Sequence, residues 1–196
     1  MIGAAELSRS IFGAWMLARF DRNGAALFDN TIDAFWRSFW AALVVFPAFA
    51  ILLLLRSSHA EITVGPFWAF FIQMTGYAVG WLAFPYVMFY VTKLSDRDAF
   101  YYRYIAAYNW AVVIQIALML AVTALTTSGV VPLALGFLLT AGAIVSILIY
   151  QGYIAHILLE VPPVGAFAIV VIDLVISLIL QSWTDRLLAG QAVIGG

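Results

Sequence analysis

The chain reads as an all-α, polytopic transmembrane bundle of five spans, preceded by an N-terminal interfacial amphipathic helix. Three observations lead there. Between Arg103 and Glu160 stand 56 consecutive residues without an Asp, Glu, Lys or Arg, whereas about a quarter of the residues of a water-soluble domain are charged. At ~20 residues per crossing this run holds two spans and a turn. The whole sequence is 65% apolar, 16% aromatic and only 10% charged. Finally, no segment alternates polar and apolar residues as a membrane barrel strand would, so helices must satisfy the backbone within each span.

The first 38 residues form a region of their own. Met1 to Phe20 contains Glu6 and Arg9 where a signal peptide would turn apolar, and Arg19, Asp21 and Arg22 follow; the segment is read as retained. Residues 5–20 are predicted helical, with Leu7, Ile11 and Trp15 on one stripe and Phe12, Met16 and Phe20 well round from it. Arg22-Asn23-Gly24 marks a break. From Thr31 to Trp40 the periodicity is clearest: Ile32, Phe35, Trp36, Phe39 and Trp40 fall on one helical face. Asp33, Arg37 and Ser38 take the other, with Asp33 and Arg37 spaced as an i,i+4 pair. Asn30 or Thr31 can cap the start. This is either a helix lying in the headgroups that bends into the first span or the beginning of one long tilted helix.

The five spans, residues 39–186 in all, are expected at 39–55, 67–91, 105–125, 130–150 and 164–181, the fourth with apolar sequence continuing toward Leu159. Residues 187–196 are expected to fray. Thr126-Thr127-Ser128-Gly129 makes a tight turn, and Val161-Pro162-Pro163 ends the helix before it. Ser95 with Asp98 resembles a capping box opening the third span. Pro47 and Pro85 fall inside spans and imply kinks. Seven of the nine cationic residues (Arg9, Arg19, Arg22, Arg37, Lys93, Arg97, Arg103) share one side of a five-span topology, leaving Arg56 and Arg186 on the other. The positive-inside rule then places the N-terminus in the cytoplasm, as in a bacterial inner membrane, and the C-terminus across it. A re-entrant fourth segment would reverse the C-terminus.

Several functions are disfavoured. A net charge of −1 offers no basic surface for nucleic acid, and the absence of cysteine removes thiolate chemistry and disulfides. His59 and His156 fall on opposite sides, no catalytic or phosphate-binding motif occurs, and no cofactor or metal site is expected. The expected partners are the lipid bilayer and other membrane helices, including a second copy. Phe100, Tyr101, Tyr102, Tyr104, Tyr108 and Trp110, with Phe89 and Tyr90, are read as an interfacial belt in preference to a ligand-stacking platform.

Asp173, midway along the fifth span, is the sharpest candidate, because a carboxylate at that depth is costly and faces the interior. Ala166, Ser177 and Thr184 fall within about 40° of it at helical spacing, alongside the bulkier Ile169 and Leu180. Gln115 and Thr140 are placed at the same depth. Two readings result: a proton- or cation-binding site of Asp173, Gln115, Thr140 and Ser177, or a structural hydrogen-bond cluster. The second is favoured because transport pathways usually carry several intramembrane ionisable groups. Gly76-x-x-x-Gly80, extended by Ala83, is a close-packing face used within the bundle or between copies.

Gly76-Tyr77 with Gly80, set among five spans with short loops and a modest N-terminal segment, resembles the Ypt-interacting-protein (Yip) family over residues 35–185 at the level of pattern. Phe28-Asp29-Asn30 and Phe35-Trp36-Arg37 stand where that family carries an Asp-Leu-Tyr-Gly-Pro type motif. The resemblance implies a non-enzymatic membrane organiser, linked in eukaryotes to vesicle traffic and small GTPases. The expectation is therefore a membrane adaptor, scaffold or accessory subunit, with a small transporter or channel component using Asp173 as the alternative. A water-accessible cavity reaching Asp173 would favour the alternative, and a dry, closely packed site the scaffold.

Overall fold

The computed structural model describes residues 3–57 and 63–190, the side chains of residues 56 and 57 excepted; His59, the Arg56 side chain and residues 191–196 lie outside that description. The described chain is all-α. Seven helices run in order: α1 (Ala4–Ala18), α2 (Ile32–Ser38), α3 (Trp40–Ser57), α4 (Pro66–Leu94), α5 (Tyr101–Thr127), α6 (Leu133–Leu158) and α7 (Pro163–Leu188). Short 3-10 turns at Arg22–Leu27 and Asp98–Phe100 precede α2 and α5. Five segments are long and apolar enough to cross a membrane, α2 and α3 together making the first. At most 22% of the most apolar window of any span is buried inside the protein. Phe137, Phe167 and Leu133 are each more than two-thirds exposed. Hydrocarbon must cover these faces, and the protein is a multi-pass membrane protein.

α5 is the hub. It packs against α1, α2, α3 and α6, while α7 packs against α4 and α6. α6 is one unbroken helix, so it is not re-entrant, and its connection to α7 lies at the end where the N-terminal segment docks. There Tyr153 Oη donates to the Phe20 carbonyl at 2.8 Å and Arg103 Nη2 to the Leu158 carbonyl at 3.4 Å. The helices outrun several expected bounds. α5 begins at Tyr101, α6 continues through Leu158, and α7 through Leu188, into the stretch expected to fray. The Leu188 carbonyl is held by the Thr63 N–H at 3.1 Å, which anchors that end.

Burial is unequal along the bundle. The buried residues of α5 all lie between Tyr101 and Gln115, those of α4 between Phe84 and Thr92, and those of α6 run from Ala143 to Leu158. In α7 they are Ala166 to Asp173, then only Leu188. One half of the bundle is therefore close-packed and the other is loosely joined. The packed half is the one that the N-terminal segment caps: Ala14 and Leu17 of α1 are fully buried, and Tyr150 Oη donates to the Ala14 carbonyl at 2.7 Å.

Local chemistry explains the segment's path, and corrects three expectations. Phe20, at φ 60°, ends α1 before Arg22, and Asp21 Oδ1 accepts from the Asn23 N–H at 2.9 Å to start the 3-10 turn. Thr31 Oγ1 caps α2 through the Ala34 N–H at 3.1 Å. Asn30, freed from that role, donates to the Ala99 carbonyl at 2.6 Å and accepts from the Arg103 N–H at 3.1 Å. It thus caps α5 from 73 residues away. Ser95 does not form the expected capping box; its hydroxyl donates back to the Val91 carbonyl at 2.7 Å and closes α4. Arg37 does not pair with Asp33 but with Glu6 of α1, at 2.8 Å.

The apolar face expected on α2 is divided. Phe35 packs inward against Tyr101 and Tyr102, with Phe39 beside it, whereas Ile32, Trp36 and Trp40 are exposed. Phe39 alone separates α2 from α3. The aromatic belt is also corrected: Tyr101, Tyr104 and Trp110 are buried core residues, Tyr101 lying between Phe35 of α2 and the Pro85 carbonyl of α4, to which it donates at 2.9 Å, and Tyr104 lying against Phe84.

The tightest point of this docking is Gly24, where a Cβ would lie 2.6 Å from the Gly13 carbonyl oxygen and 2.9 Å from Met16 Cβ. Gly24→Ala is expected to lower stability by about 1–3 kcal/mol through overpacking, read as an earlier thermal transition in detergent and faster proteolysis of residues 1–38. Gly65→Ala, where the added carbon meets nothing within 4 Å, should change neither.

Candidate functional site

Asp173 stands where close packing gives way. Its side chain is buried and accepts two hydrogen bonds from two other helices, Tyr108 Oη of α5 on Oδ1 and Gln151 Nε2 of α6 on Oδ2, both at 2.8 Å. The helical hairpin sets this meeting: Gln151 and Asp173 stand eleven residues before and after Pro162. Pro162 caps α7 and Pro163 occupies its first turn, where no amide donor is needed. Glu160, at φ 53°, turns the chain.

Beside the carboxylate is a cavity of about 290 Å³ between α4, α5 and α7. α4 supplies Tyr77, Gly80 and Trp81; α5 supplies Tyr108, Asn109 and Gln115; Gln151, Asp173 and Ser177 complete the polar lining. Two amides bring unpaired atoms. Asn109, fully buried, donates through Nδ2 to Ser38 Oγ at 2.8 Å, but its Oδ1 has no partner among the described residues. Gln115 Nε2 is likewise buried without a partner. Orphaned polar atoms of this kind cost about 1–3 kcal/mol each; both are sealed within the packing of α5 and have no surface on the cavity.

A second cavity, about 420 Å³, continues along α4 and α7 and shares Gly76, Tyr77, Gly80 and Ser177 with the first. Gln73, Gln181 and Thr184 line it, with Asp185 and Leu188 at the far end of α7. Together the two make a partly polar crevice from Asp173 toward the loosely packed end.

The candidate residues separate accordingly. Asp173, Gln115 and Ser177 come together, with Ser177 exposed at the junction of the two cavities. Thr140 does not join them. Its hydroxyl donates to the Gly136 carbonyl of its own helix at 3.0 Å, and it stands about 16 Å from Gln151 along α6 at 1.5 Å per residue. The glycines also divide. Gly76 abuts α7, where an added Cβ would meet Thr184 Oγ1 at 3.0 Å, so this face packs within the bundle. Gly80 faces open space, and Ala83 is half-buried on the following turn.

Sequence reasoning missed Tyr108, Asn109, Gln151, Tyr77 and Trp81 as site residues. The spacing about Pro162 could have found Gln151. Tyr108 was assigned to the interface, yet it stands 22 residues before position 130, the centre of the α5–α6 turn, and Gly152 stands 22 after.

Asp173→Asn retains an acceptor for Tyr108, and the Gln151 amide can turn to accept from the new NH₂ group. It should leave thermal stability nearly unchanged. Asp173→Leu strands both donors and should cost about 1–3 kcal/mol, seen as a lower transition temperature in the same detergent.

Comparison with family models, with curated proteins and with solved structures finds no match for this chain.

Proposed function

We propose that this protein is a small transport or channel component that admits a cation to Asp173 along the crevice between α4 and α7. The observation that carries this reading is the polar cavity at a buried carboxylate. A structural cluster alone would be expected to pack dry around its hydrogen bonds. The carboxylate meets only neutral donors, and among the described residues no Lys, Arg or His lines either cavity, so the field these residues set up at Asp173 favours positive charge.

The orientation proposed is N-terminus in the cytoplasm of a bacterial inner membrane, with seven of nine cationic residues at that end. The crevice then leads from Asp173 toward the far side. The organiser role implied by the Yip-like pattern is the competing reading, with lipid and neighbouring helices as its partners.

The native chain has no cysteine, which permits a direct test. Ser177→Cys, reconstituted in vesicles, should favour a permanently cationic methanethiosulfonate over an anionic one by at least about tenfold beyond the ratio the two show on a free thiol, the factor that a ~1.4 kcal/mol difference between the two charges at the site produces. Asp173→Asn in the same background should abolish the preference. Equal, negligible labelling by both reagents in a protein that stays monodisperse would defeat the transport reading and favour the organiser.

A further inference from the structure

The shape and chemistry of the Asp173 cavity go further than charge. A bare divalent ion needs about six oxygen ligands at fixed short distances, and no group of three or more His, Cys, Asp or Glu occurs among the described residues. The cavity offers one carboxylate, and its 290 Å³ far exceeds the ~30 Å³ share of one water in the liquid. It falls at the lower edge of the ~300–1,000 Å³ typical of small-molecule sites.

Three aromatic rings share the lining with the carboxylate: Tyr77 and Trp81 of α4, and Tyr108 of α5. Tyr77 and Trp81 meet edge to face with ring centroids 6.1 Å apart, and Tyr108 is stacked on Phe84 at 4.3 Å. Tyr77 is further fixed by donating its hydroxyl to the Ala42 carbonyl at 2.6 Å. Rings held this firmly lose little freedom when a ligand settles among them. Tyr and Trp faces with a single carboxylate are the recognition chemistry of organic ammonium groups, whose charge is spread over a weakly hydrated surface. Gly80 leaves the entrance wide enough for more than a bare ion, since a Cβ there would touch nothing within 4 Å.

Resting on the cation-site reading above, we infer that the cavity of Tyr77, Trp81, Tyr108 and Asp173 binds a small organic ammonium compound. The carboxylate balances the charge and the rings contact the alkylated nitrogen.

Titration calorimetry on the purified full-length protein in detergent tests this with three probes: tetramethylammonium, sodium at equal ionic strength, and the neutral carbon isostere in which a quaternary carbon replaces the nitrogen. Tetramethylammonium should bind and the other two should not. Trp81→Leu and Asp173→Asn should each weaken binding at least about tenfold, the loss of one desolvated cation–π contact or more, while Trp81→Phe should restore part of it. Gly80→Leu, which fills the cavity without a clash at its Cβ, should abolish binding with the fold intact and keeps the test decisive should Trp81→Leu misfold. Sodium binding as well as tetramethylammonium, unchanged affinity in folded Trp81→Leu, or no tetramethylammonium binding would each overturn the inference. If cation-selective labelling of Ser177→Cys persists in that case, the transport reading survives; if labelling also fails, both fall.

Discussion

A carboxyl group placed among hydrocarbon-facing helices must be given hydrogen bonds by the protein, because the surroundings provide none. Asp173 obtains its two from helices that are distant in sequence, so α5, α6 and α7 have to meet at one level with defined rotation. Much of the fold serves that meeting. The diproline start of α7 sets the register of the α6–α7 hairpin, and α5 lies against α6 along the same stretch. α4 approaches α5 less closely and packs instead on α7, which leaves the gap that becomes the cavity. In this sense the site is a by-product of a closed hydrogen-bond triad with one incomplete wall.

The N-terminal segment keeps the triad in place from above. Its ion pairs, Arg9 with Asp29 and Arg37 with Glu6, are partly exposed and contribute little by themselves. Burial does more, with Ala14, Leu17 and Phe28 sealed against α5 and α6. Asn30 adds a specific latch by satisfying both a carbonyl and an amide at the start of α5. Helix starts need such donors and acceptors, and here the cap comes from another part of the chain, where Ser95 was the local candidate.

How much of this was legible depends on the kind of signal. Charge-free runs and prolines reveal spans and turns directly, because hydrocarbon tolerates little else, and the five-helix architecture could be read from them. Asp173 was legible for the same reason. Thr140 was misplaced because mid-span position in sequence does not give depth once a helix runs eight residues further, as α6 does from Tyr150 to Leu158. Tyr104 reads as an interface residue because nothing in the local pattern says that Phe84 of α4 packs against it. Gln151 was overlooked because the expected span stopped at Tyr150, just before it, whereas α6 continues to Leu158. Contacts made by long-range docking leave no periodic trace.

Clamping at one end only has a mechanical consequence. Beyond Asp173 the helices resemble reeds held in a common block, joined by few buried side chains, by the approach of Thr184 to Gly76 and by the Thr63–Leu188 hydrogen bond. Bilayers that differ in thickness press on such reeds through tilt, at a modest cost for each ångström of mismatch. Tilt of that kind is taken up by the loosely joined half before the packed block, so the spacing of α4 and α7 beyond Asp173 follows the lipid around them.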